Sequence, residues 1–202
     1  MCRTSLTKSG RIAAGFTLVE ATVALAITTV AGAALLLGIN SSIQTTNEAL
    51  DQTIAAGMAQ QLLDEIVGGR YAAVGVDGYQ TSFGPSSWEK CGAGRERYDD
   101  IDDYHGLSLQ PPEDCYGIEL GTEDGEGDQR HPNFQAPPGF FDRWKQEVEV
   151  YYVGEADLGT RLAPGQVSDY RAIEVRVLRE DPERGWQELA RRRRVVAYVP
   201  PM

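Results

Sequence analysis

The chain has 202 residues, 42% of them hydrophobic, and a formal net charge of −11. That length suits one globular domain plus an extra segment, and the composition excludes a disordered chain. Residues 1–15 hold Arg3, Lys8 and Arg11 and no acid, and taking that +3 from −11 leaves −14 for the remainder. A body so acidic repels nucleic-acid phosphates and anionic lipid headgroups, so no nucleic-acid partner is expected.

Residues 16–39 read FTLVEATVALAITTVAGAALLLGI, with Glu20 as the one charge. At about 1.5 Å per residue this run nearly crosses a ~30 Å hydrocarbon core. The basic residues before it keep the N-terminus cytoplasmic and send the body outward. A secretory signal peptide needs an apolar stretch of only about 7–15 residues and a small-x-small site at its far end. Here the run is longer and continues into NSSIQTTNEAL, which extends a helix. A plain signal anchor leaves Glu20 unexplained, because a carboxylate at that depth costs about 2.5–3.5 kcal/mol.

The string Gly15-Phe16-Thr17-Leu18-Val19-Glu20, between a short basic leader and an apolar helix, resembles the type IV prepilin signature. The resemblance implies that a prepilin peptidase cuts after Gly15, removing residues 1–15, and methylates the new N-terminus, Phe16. It also implies that Glu20 pairs with the N-terminal ammonium of a neighbouring subunit during assembly. The physics agrees: cutting creates a cation at the depth of Glu20, and pairing offsets the burial of both.

The helix is expected to run on through residues 16–67, membrane-spanning over 16–39 and amphipathic over 40–67. Leu50, Ile54, Met58, Leu62 and Ile66 recur every four residues, following Ile43, and form one apolar stripe. Gly68-Gly69 is the stop signal. Many pilins carry a proline near the twentieth residue of this helix. Gly32 and Gly38 stand in that region here and loosen a helix by only about 1 kcal/mol each.

Residues 68–202 form the expected head. Within it, residues 84–143 hold fifteen Gly and Pro in sixty, close to the ~25–30% at which order needs staples. Of the three cysteines, Cys2 lies in the leader, so cleavage leaves Cys91 and Cys115. An even pair in an exported domain reads as a disulfide, closing a loop of 25 residues for roughly 3.5 kcal/mol. Inside that loop Asp99, Asp100, Asp102 and Asp103 crowd into five residues. They call either for pairing with Arg95 and Arg97 or for a hard cation such as Ca²⁺, which takes six to eight oxygens. Alternating pairs, Asp100 with Asp102 or Asp99 with Asp103, are the expected ligands, completed by Glu113 or Asp114. The segment Tyr98–Gly106 with the following Pro-Pro is also similar to one in the minor prepilins of the mannose-sensitive haemagglutinin pilus system, the D-type among them.

Three period-two segments follow, at 144–153, 170–178 and 189–199, within a C-terminal sheet of residues 144–199. Val148, Val150 and Tyr152 share one face, as do Ile173, Val175 and Val177. Residues 79–83 add an expected edge strand. Arg191 to Arg194 alternate faces on a strand, which favours solvated or ion-paired side chains over a nucleic-acid site. The expected fold class is α+β, a long helix on an antiparallel sheet.

The functional expectation is a minor pilin-like subunit, made in the inner membrane with a periplasmic head. Its expected partners are the peptidase and other pilin subunits, in a filament at the cell surface or in the periplasm. A pseudopilin of a type II secretion machine is the alternative. A membrane-anchored periplasmic enzyme is the remote one: G-x-S-x-G, H-E-x-x-H and phosphate-loop motifs are all lacking. His105 beside Asp103 and Ser108 matches triad residue types only.

Overall fold

The computed structural model describes Gly15 and residues 17–200. The leader residues 1–14 and Phe16 lie outside the described residues. Helix α1, Leu18–Gly68, covers 51 residues and passes unbroken through Gly32 and Gly38. Its length follows from its sequence: it contains no proline, is rich in Ala and Leu, and stops at Gly68-Gly69. The described residues form two compact units that divide between Glu48 and Ala49.

In the N-terminal unit the helix is exposed apolar surface, with Leu25, Val30, Leu36 and Leu37 each more than 60% accessible. In the second unit the helix buries Ala55, Met58, Ala59, Leu62, Leu63 and Ile66. The expected stripe therefore holds from Ile54, half-buried against the core, to Ile66 and is widened by Ala55, Ala59 and Leu63. Leu50 and Ile43 remain exposed.

The sheet has four strands in the order β1-β2-β3-β4, with every pair antiparallel. They are β1, Ser108–Leu109; β2, Trp144–Tyr152; β3, Tyr170–Asp181; and β4, Gly185–Ala197. On β2 the residues alternate strictly: Trp144, Gln146, Val148, Val150 and Tyr152 are buried. Their register against Ile173, Val175 and Val177 of β3 gives one apolar face, and the buried stripe of α1 packs on it. Each fully buried Val, Leu or Ile there contributes about 1.5–3 kcal/mol. On the opposite face, Glu147 lies 2.6 Å from Lys145 and 3.3 Å from Arg176, and Glu149 lies 2.8 Å from Arg161. Such half-exposed pairs contribute little individually.

Two expectations are corrected. Residues 79–83 are not a strand, and the edge next to β2 is β1 instead. The carbonyls of Gly78 and Gln80 accept from the Tyr152 hydroxyl at 3.1 and 2.9 Å, so side chains take up acceptors that a strand ladder would use. The irregular segment of residues 84–143 also contributes core: Ile101, Tyr104, Leu120 and Phe141 are buried in the same cluster as the helix stripe.

Candidate functional site

The helix start is built as a reciprocal cap. Thr17 precedes Leu18, and its hydroxyl accepts from the Glu20 backbone N–H at 3.2 Å. The Glu20 carboxylate reaches back: Oε2 accepts from the Thr17 N–H at 3.1 Å and from the Thr17 hydroxyl at 3.0 Å. This is a T-x-x-E capping box, which satisfies N–H groups that a helix start leaves without intrahelical partners. Both donors fall on Oε2. Among the described residues no donor reaches Oε1. Gly15 is exposed, and among the described residues a Cβ there would meet nothing within 4 Å.

The four aspartates do not form one cation site. Asp100, Asp102 and Asp103 are buried, while Asp99 is exposed. Asp100 Oδ1 accepts from the N–H groups of Asp102 and Asp103, at 3.0 and 3.2 Å. Asp103 Oδ2 accepts from the N–H groups of Asp99 and Asp100, at 3.0 and 3.3 Å. Two carboxylates thus serve the turn's own backbone. Asp102 pairs with Arg171 at 2.9 Å and Asp99 with Arg70 at 2.8 Å. The expected partners, Arg95 and Arg97, are engaged elsewhere. Of the expected ligand pairs, the Asp100 and Asp102 carboxyls lie against each other but face inward, onto N–H groups and the Arg171 guanidinium. Asp99 and Asp103 do converge, with Glu89 as a third carboxylate, their oxygens within 4.8 Å of one another.

Burial, first, and the neighbouring Asp102 carboxyl push Asp100 up to about 7, against the pull of the two N–H groups it accepts from. Burial likewise pushes Asp103 up to about 6, although the N–H groups of Asp99 and Asp100 oppose it. Asp102 is raised by burial too, with Asp100 and Arg171 opposing.

Arg171 is the centre of this arrangement. It is fully buried. Nη1 donates to the Tyr71 carbonyl at 2.7 Å and to Asp102; Nη2 donates to the Gly78 carbonyl at 2.8 Å and to the Tyr152 hydroxyl at 3.0 Å. Its guanidinium lies 4.3 Å from the Tyr71 ring centroid and 4.9 Å from that of Phe83. One side chain on β3 thereby fastens residues 71–83 and the aspartate turn to the sheet. A second clamp joins α1 to the irregular segment. The Arg95 guanidinium meets both Glu65 oxygens at 2.9 Å, and Tyr104 donates to Glu65 at 3.0 Å. Arg97 lies over Trp88 instead.

Cys91 and Cys115, the expected disulfide partners, are not bonded to each other in this structure. Four residues after Cys91, the Arg95 N–H donates to the Cys115 carbonyl at 2.7 Å. The Cys91 thiol, however, turns back to the Ser87 carbonyl at 3.1 Å as its short 3-10 turn closes. The segment is held by the Arg95–Glu65 clamp and its buried aromatics. His105 is part of no triad geometry: Nδ1 accepts from the Val150 N–H at 3.1 Å, and Asp103 faces the backbone.

Sequence reasoning missed the capping box, Arg171 and Glu65. The first had a signal in T-x-x-E. Arg171 had one too, because it is in phase with Ile173, Val175 and Val177 and so had to point inward.

Comparison with protein-family models, with curated proteins and with solved structures finds no match. The architecture itself, one long apolar N-terminal helix packed on an antiparallel sheet, fits a pilin-like arrangement. The helix is long and apolar enough to cross a membrane, with a mean hydropathy of 2.2 over its most apolar window.

Proposed function

We propose that the chain is a minor pilin-like subunit, processed by a prepilin peptidase and assembled into a pilus-type filament. The observation that carries this reading is the junction at Gly15–Glu20, where a prepilin-like string coincides with the first turn of a 51-residue helix whose membrane-length part is bare apolar surface. A glycine just ahead of that turn suits a peptidase that requires a small residue at its cut. Cleavage there leaves an ammonium on Phe16. Thr17 keeps its amide N–H, so the capping box survives in the mature chain. Oε2 of Glu20 then holds the helix start, and Oε1 takes the ammonium of a neighbouring subunit.

Mass spectrometry of the mature N-terminus tests the cut: the expected product begins at N-methylated Phe16, and an intact Met1 refutes the reading. Glu20→Ala removes the cap and the carboxylate together, whereas Thr17→Ala removes the cap and leaves the carboxylate. Loss of a cap costs ~1 kcal/mol. We expect both variants to insert and to be cleaved, and only Glu20→Ala to fall strongly in the sheared-filament fraction. Equal loss from both would reduce Glu20 to a capping residue.

A further inference from the structure

The two edges of the sheet are finished differently. Along β2, outward backbone groups find partners. The Val148 N–H donates to the Leu107 carbonyl at 3.0 Å and the Val150 N–H to His105 Nδ1 at 3.1 Å, and the Tyr152 carbonyl accepts from the Leu162 N–H at 3.0 Å. Along β4 such groups are left to solvent. Alternate residues of a strand direct their N–H and C=O to opposite sides. Just past β4, the Tyr198 N–H donates to the Asp169 carbonyl at 2.7 Å, on the β3 side. Val196, Arg194 and Arg192 therefore face β3, and Ala197, Val195, Arg193 and Arg191 face away. Of the backbone groups on those four, only the Arg191 carbonyl has a partner among the described residues, Arg192 Nη1 at 3.2 Å.

An open edge is ordinarily guarded by charge, and here the guard is arginine on both faces. The outer face is occupied: Arg191 pairs with Glu174 and Glu188, and Arg193 donates to the Tyr151 hydroxyl and to the Leu158 carbonyl. Arg192 and Arg194 stand opposite Val175 and Ile173 in register, and so on the uncovered margin of the inner face. Both are exposed, and among the described residues no carboxylate lies within ion-pair distance of either. A guard of this kind repels a basic strand and suits an acidic one. The fold holds a precedent. On β2, Glu147 and Glu149 occupy alternate positions and both reach Arg176 of the neighbouring strand, at 3.3 and 3.7 Å. A strand with carboxylates at alternate positions thus fits beside an arginine-bearing one. That segment is already paired with β3, so a second folded copy does not present it.

We propose that the β4 edge, Arg191–Ala197, accepts an added strand: an extended segment of a different protein with acidic residues at alternate positions, which lie beside Arg192 and Arg194. The backbone bonds supply affinity, and the carboxylates select the strand and set its register. The inference goes beyond the filament-subunit reading and does not depend on it.

The test titrates a heptapeptide alternating glutamate and valine, the pattern of Glu147 to Val150, into the full-length chain in non-ionic detergent, with binding read by calorimetry. We expect saturable binding, several-fold weaker in the Arg192→Gln, Arg194→Gln double variant and absent for a peptide with lysine in place of glutamate. A peptide N-methylated at every backbone nitrogen keeps its charges and loses its strand donors, and it should not bind. Equal binding of the methylated peptide would reduce the contact to charge alone and overturn the strand pairing. Undiminished binding to the double variant overturns the acidic character of the partner. No saturable binding up to millimolar peptide overturns the docking edge and leaves the arginines as a guard that admits nothing.

Discussion

In the segment from Asp99 to Asp103 three of the four carboxylates are buried, whereas all four arginines from Arg191 to Arg194 are exposed. The acidic run is a turn, and a turn has unpaired N–H groups. Asp100 and Asp103 each accept two of them, so the carboxylates fold inward to satisfy the backbone, and Arg171 neutralises Asp102. The basic run is a strand whose backbone is already paired with β3. Its side chains are not drawn inward: Arg191 and Arg193 meet partners on the outer face, and Arg192 and Arg194 stay in water. Like charges in sequence are thus sorted by what the backbone beneath them lacks, not by their number.

That contrast is broken most severely at Arg171. Arg171→Leu leaves Asp102 buried without its cation and takes the donors from the carbonyls of Tyr71 and Gly78. Removing one partner of a buried pair costs about 3–5 kcal/mol. For a chain of this size that lowers the melting temperature by on the order of 10 °C. Adding Asp102→Asn should return part of the loss, because the orphaned charge goes with it. Melting of the purified chain in detergent, followed by near-ultraviolet circular dichroism, measures both. A loss under 1 kcal/mol would mean that the clamp is ornamental.

The next effect is titration of the same turn. Asp100 is raised to about 7 and Asp103 to about 6, above an unfolded value of about 3.9. Between those values the folded chain binds more protons than the unfolded one, so stability falls as pH rises. The contribution is fully present below pH ~4 and lost by pH ~8, on the order of 2–4 kcal/mol for Asp100. Asp100→Asn keeps an oxygen for the N–H groups of Asp102 and Asp103 and removes the charge. Wild type should lose melting temperature between pH 5 and pH 8 relative to this variant. Parallel curves would show that Asp100 is ionised throughout.

How much of this was legible follows from period and partner. The helix, its stop and the Met58–Ile66 stripe are written in a 3.6-residue repeat, and β2 and β3 in a two-residue alternation, so both were readable locally. The same alternation puts Arg171 and Gln146 at inward positions, a signal the sequence reading passed over. A charged or amide residue at an inward position announces a buried partner, although not which one. The aspartate turn was not legible, since its pairing with Arg70 and Arg171 depends on segments 29 and 69 residues away. The Glu65–Arg95 clamp was illegible for the same reason, since it joins residues 30 apart.

The smallest effect is expected on β4. Arg192→Gln and Arg194→Gln remove charges that have no carboxylate partner among the described residues, and glutamine retains part of each aliphatic stem. Surface changes of this kind stay within about 0.5 kcal/mol, so the double variant should melt within ~2 °C of wild type. Charge balance argues for the sign. Removing two positive charges from a chain at −11 adds to its net repulsion, so any shift should be a loss, and larger at low ionic strength. The same pair of changes at Arg171 and Arg95 would remove buried cations and unfold the head. A loss above 1 kcal/mol that persists at high salt would mean that Arg192 and Arg194 pack into their own chain, and the uncovered face of β4 would then be closed from within.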